Sequence, residues 1–125
     1  MSISRKITEG AGSGGGSGGY VDDVFSTYLY EGTGANQTIV NGINLDGEGG
    51  LVWTKARTAS MTLRHYLHDT ERGAGKRLCS DGSDAESNAP GDIKAFNSDG
   101  YQTGGGAATE NTGDDFVSWT FRKAP

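Results

Sequence analysis

The sequence predicts a mainly β fold: a single β-sandwich or jelly-roll-like domain preceded by a glycine-rich arm. Three observations carry this. Glycine is abundant, 22 of 125 residues, and proline scarce at 2; glycine disfavours a helix but suits a tight turn. Short runs rich in β-branched and aromatic residues recur from Tyr20 onward. Turn signals such as Asn41-Gly42 and Asp99-Gly100 separate them at regular spacing.

Residues 1–19 stand apart. MSISRKITEGAG is polar and GSGGGSGG is linker chemistry; such a run has too little apolar surface to offset its own ordering entropy. The start at Met1 without a tag favours a natural arm over an engineered linker. This arm is expected to be loose, or ordered by lying along a partner. The domain is expected over residues 20–125.

Within it, VFSTYLYEG is β-rich and ends in a glycine turn, and QTIVNG closes on Asn41-Gly42. GLVWTKAR follows Glu48-Gly49-Gly50. In SMTLRHYLHDT, residues Met61, Leu63, His65 and Leu67 fall on one strand face at period two. KRLCS is a short strand, and residues 80–91 form a polar loop. GDIKAFNSDGYQTG is a hairpin, and DDFVSWTFRK closes with Val117, Trp119 and Phe121 alternating against Ser118, Thr120 and Arg122. Hydrophobic residues are only 33%, so the core should lean on its aromatics, with Trp53 and Trp119 at least partly buried.

The net charge of −5 and a pI near 4.8 disfavour nucleic acid and anionic membrane surfaces as partners. No apolar run approaches the ~20 residues of a membrane span, and the N-terminus is not a signal peptide. A single cysteine, Cys79, makes no internal disulfide and reads as a small buried hydrophobe in a chain made in a reducing cytosol.

DTERGAGKRL, Asp69 to Leu78, looks like a phosphate cradle, but position 70 is Thr where a P-loop needs Gly, and position 77 is Arg where it needs Ser or Thr. No helix follows to receive phosphates. A turn through Gly73 and Gly75, anchored by Asp69 or Arg72, fits better. His65 and His68 are three apart, so in a strand their rings point to opposite faces and make no metal pair. Asp81, Asp84 and Glu86 form an acidic loop that departs from the calcium-loop pattern and reads as solvated. Tyr28, Tyr30 and Tyr101 could stack on sugar rings or serve core or interface, the commoner use. No catalytic set and no cofactor is indicated.

One combination is more specific. GLVWTKAR, HDTERGAGKRLCSDGSDAE, IKAFNSDGYQTGG and GDDFVSWTFRKAP, spread through residues 51–125, resemble a module of tail fibre and other tail proteins of bacteriophages, notably marine ones. The start, MSISRKITEG with YVDDVFSTYLYEG, resembles the leader of such fibres. Glu48-Gly49-Gly50 stands where that family often has Pro-Asp, and Tyr101 where it usually has Phe. The resemblance makes DTERGAG a structural turn and implies a non-enzymatic virion component, made in the host cytoplasm and working in the virion tail. It implies the N-terminal part of a tail fibre, homotrimeric, attached to other phage tail proteins such as an adaptor or nozzle, with host glycans met by a distal region. The interface is expected at Ile3, Arg5, Lys6, Ile7, Tyr20, Phe25, Tyr28 and Tyr30. A capsid decoration protein or a glycan-binding module is the alternative. In the resembling proteins the closing strand leads into further modules, so the native chain is expected to continue past Pro125.

Overall fold

The computed structural model describes residues 20–58 and 63–124. The arm, and with it the expected contacts of Ile3, Arg5, Lys6 and Ile7, lies outside the described residues, as does Met61. A 3-10 turn at Val21–Asp23 leads into β1 (Phe25–Glu31). Then follow β2 (Asn36–Val40), α1 (Leu45–Glu48), β3 (Gly50–Ala56), β4 (Tyr66–Asp69), β5 (Lys76–Cys79), β6 (Ser87–Asn88), β7 (Ile93–Asn97), β8 (Gly100–Gly104), α2 (Ala107–Glu110) and β9 (Asp115–Arg122). The fold is mainly β, as the sequence predicts.

Two antiparallel sheets pack as a sandwich. The larger runs β1-β9-β3-β4-β5-β6 and the smaller β2-β8-β7. The closing strand is thus a central one: β9 pairs with β1 from Phe25↔Phe121 to Glu31↔Asp115 and with β3 from Gly50↔Arg122 to Ala56↔Phe116. Tyr30, Val52, Ala56 and Phe116 of the large sheet meet Ile39, Ile93 and Tyr101 of the small one, and Ile43 and Leu45 close the core. The Tyr30 and Phe116 rings stack at 5.4 Å and 12°.

Three expectations need correction. Asn41-Gly42 turns the chain, with Gly42 at φ 85, but not into a hairpin: β2 pairs with β8, while β3 pairs with β4 and β9. Asn44 caps α1 instead, its Oδ1 accepting from Gly47 N at 2.8 Å. In SMTLRHYLHDT only Tyr66–Asp69 is strand; Leu63 packs on the core while Leu67 shares the outer face with Trp53, so the expected single face is broken. Part of the 80–91 loop, Ser87–Asn88, pairs with β5.

Candidate functional site

The alternation on β9 and β3 runs opposite to the usual rule of apolar side chains inward. Ser118, Thr120 and Thr54 are fully buried between the sheets, beside Phe116 and Val52. Trp53, Trp119 and Phe121 point outward. The cause is space: sheets pack ~10 Å apart, and Tyr101, Tyr30 and Phe116 fill much of that gap, leaving room only for Thr, Ser and Ala opposite. The small residues bring hydroxyls inside, and Thr120 Oγ1 accepts from Asn41 Nδ2 at 3.0 Å, whose Oδ1 accepts from Ile43 N at 3.1 Å.

The outer face of the large sheet is therefore apolar. Register gives its rows: Phe25, Phe121, Leu51 and Asp69; then Thr27, Trp119, Trp53, Leu67 and Leu78. Phe25 and Phe121 contact at 4.9 Å between centroids and Trp53 and Trp119 at 5.2 Å, edge to face. Trp53 Nε1 donates to His65 Nδ1 at 3.1 Å, which puts the proton of a neutral His65 on Nε2. Leu29 is 58% exposed and Phe121 39%. Beside the first row lies an open groove of about 290 Å³, lined by Gly50, Leu51, Thr70, Phe121 and the Glu71–Lys123 ion pair of 3.1 Å, among others.

Behind this face the titratable groups are tied into structure. Fully buried His68 shares Asp92 Oδ2 with Arg77 Nη1, each at 3.0 Å, and Arg77 lies over the Tyr66 ring at 4.5 Å. Glu110, also fully buried, accepts from Thr33 N at 2.8 Å, Thr33 Oγ1 at 3.0 Å, Gln37 Nε2 at 2.9 Å and Thr103 Oγ1 at 2.7 Å. These donors replace the water a carboxylate loses on burial. Tyr30 donates to Thr109 O at 2.8 Å. Burial raises the Tyr30 phenol well above its ordinary value, with Tyr101 and Glu110 adding to it. Burial also raises Tyr101, against the pull of neighbouring Ser118 and Tyr30 hydroxyls.

The turn at DTERGAG is self-contained. Asp69 Oδ1 accepts from Arg72 N at 2.8 Å, and Arg72 pairs with Asp69 and Glu86. Gly73, at φ 98, and Gly75, inside the turn that Lys76 N closes on Gly73 O at 3.3 Å, both serve the reversal. β5 follows, not a helix. His65 and His68 lie on opposite faces. Arg64 holds Asp81 and Asp84 at 3.2 and 2.8 Å. Among the described residues no group of three or more His, Cys, Asp or Glu gathers as a metal centre.

Other sequence-derived residues fall elsewhere than expected. Cys79 is half-buried, not buried. Tyr20 is buried in the chain; on β1, where even-numbered positions face inward, Tyr30 is buried and Tyr28 packs on the core. Of the four expected interface aromatics, Phe25 alone stands on the outer face. Tyr101 is fully buried, so the three tyrosines form no sugar-stacking platform. Reasoning from the sequence missed the outer apolar face and the Glu110 and Asp92 networks, whose partners lie up to 77 residues away.

Comparison with known families adds one finding. Residues 21–125 match the model of a family described as a domain of unknown function (DUF7483). The chain belongs to the DUF7483 family. No curated protein and no solved structure matches it. The DUF7483 match spans the β unit from the 3-10 turn through β9 and leaves the arm outside it.

Proposed function

We propose that the chain is a structural virion protein: the N-terminal part of a phage tail fibre that anchors the fibre to the tail, assembled as a homotrimer. The observation that supports this best is how the resembling segments are used. GLVWTKAR is β3, DTERGAG the β4–β5 turn, IKAFNSDGYQT the β7–β8 hairpin and DDFVSWTFR is β9. Their polar groups serve turns and ion pairs inside the domain, and their large apolar groups cover a sheet face. That is the economy of a scaffold that docks. The net charge of −5 and the absence, among the described residues, of a helix long and apolar enough to cross a membrane leave a protein partner as the natural one.

Deleting residues 1–12 tests the anchor. The truncated protein should keep its far-UV spectrum and mass-average assembly state yet fail to enter particles; particles that carry it at wild-type amount would reject the arm as the attachment device. Light scattering tests the trimer, which requires a mass about three times the 13.0 kDa chain.

The second reading, a glycan-binding module, draws on the groove between Leu51 and Phe121. An apolar ring face beside Glu71, Thr70 and Lys123 is the chemistry that a sugar ring uses. Glycan-array binding lost on Phe121→Ala would favour it over the anchor.

A further inference from the structure

β1 is an edge strand of the large sheet: β9 flanks it on one side, and among the described residues no strand lies beyond it. The ladder shows which of its backbone groups are used. Arg122 N donates to Val24 O and Gly32 N to Asp114 O, each at 2.8 Å, and both contacts continue the β1–β9 register. Hydrogen-bonded pairs alternate in an antiparallel ladder, so the even-numbered residues of β1 bond β9. The N–H and C=O groups of Phe25, Thr27, Leu29 and Glu31 therefore point to the open side. Gln37 Nε2 donates to Glu31 O at 3.2 Å. Among the described residues, the backbone groups of Phe25, Thr27 and Leu29 meet no such partner. The edge also lacks the usual guards against pairing: its seven residues include no Pro and no Lys, and no bulge breaks the register with β9.

We propose that β1 takes up an extended, basic segment of a partner protein as a seventh strand of the six-stranded sheet, antiparallel like the other pairs, with apolar side chains beside Phe25 and Leu29 on the outer face. The occupant is a strand because donors and acceptors on alternate residues match an extended backbone. It is apolar on one side because Leu29, 58% exposed, stands in line with Phe25 on the outer face. It is basic because the chain from Tyr20 to Thr54 carries five carboxylates and no Lys, Arg or His. Asp22 and Asp23 stand just before β1, and exposed Glu31 ends it. A second copy fits less well. Pairing about Thr27 would set Leu29 beside Phe25 of the copy, but it would also bring Glu31 against Asp23 of the copy at both ends. The inference does not rest on the virion reading.

The probe is the peptide acetyl-Lys-Thr-Val-Thr-Val-Thr-Val-Thr-Lys-amide, which opposes valines to Phe25, Thr27 and Leu29 and lysines to Asp23 and Glu31. Nuclear magnetic resonance follows amide exchange in the isotope-labelled full chain. With peptide added to ~1 mM, exchange at Phe25, Thr27 and Leu29 should slow by about tenfold or more, while Ser26, Tyr28 and Tyr30, already bonded to β9, keep their rates. A peptide N-methylated at its three valines should bind at least about tenfold more weakly. Unchanged exchange at the three odd-numbered amides would overturn the proposal, as would equal binding of the N-methylated peptide. Equal binding of a peptide with Glu in place of both Lys would overturn the basic partner. Slow exchange at the three amides before peptide is added would overturn the proposal in favour of a segment of this chain, or of a second copy where the mass doubles with concentration.

Discussion

Glu110 shows how single residues hold this fold. Among the described residues no ion pair involves this fully buried carboxylate, and three residues aim donors at it. It thereby locks α2 to the β1–β2 turn and to β8. Glu110→Ala should cost about 2–4 kcal/mol, because buried donors lose their acceptor; Glu110→Gln, which keeps the shape, should cost about 1–2 kcal/mol. Urea midpoints read both, and equal small losses would mean that water replaces the carboxylate freely. The inverted alternation makes a second contrast. Phe116 is fully buried and Trp119 is not, so Phe116→Ala should cost about 3–5 kcal/mol and Trp119→Ala clearly less, although Trp is the larger residue. The opposite order in urea unfolding would place Trp119 in the core.

At the scale of elements, glycine does different work in the two turns that the sequence marks. Gly73 has open space around its α-carbon and φ 98, so Gly73→Ala carries only the left-handed penalty, about 1–2 kcal/mol. Gly100 is not a turn residue: it pairs with Asn97 and Val40, and a Cβ there would stand 1.9 Å from Ile39 O. Gly100→Ala should therefore be much the worse, splitting β2 from β8, and equal melting temperatures for the two variants would refute that distinction. Most strands were legible because their composition and turn residues are local signals: β1, β2, β3, β5 and β9 fall within one or two residues of their predicted runs. The two short helices were not, since four residues carry no helical period. Nor were the inward face of β9 or the partners of Glu110 and His68. Period two says which residues share a face but not which face is buried, and a hydrogen bond between positions 33 and 110 leaves no trace in local sequence.

For the whole molecule, burial of two phenols sets an alkaline limit. Tyr30 and Tyr101 both titrate above the ordinary 10.0 when folded. The unfolded chain thus gives up these protons near pH 10 while the folded chain keeps them, so unfolding becomes more favourable as pH rises. The share of stability that these two phenols contribute should be level below about pH 9 and fall beyond pH 10. Tyr101→Phe should soften that fall, and an unchanged slope would remove the phenol as its cause.

The virion reading concerns where the protein works, and one measurement addresses it most directly: immunogold electron microscopy of particles from the genome that encodes the chain, with antibody raised against residues 21–125. An anchor at the fibre base predicts gold at the tail. Gold spread over the head would contradict it in favour of a capsid decoration protein, and particles without gold would contradict a virion role altogether.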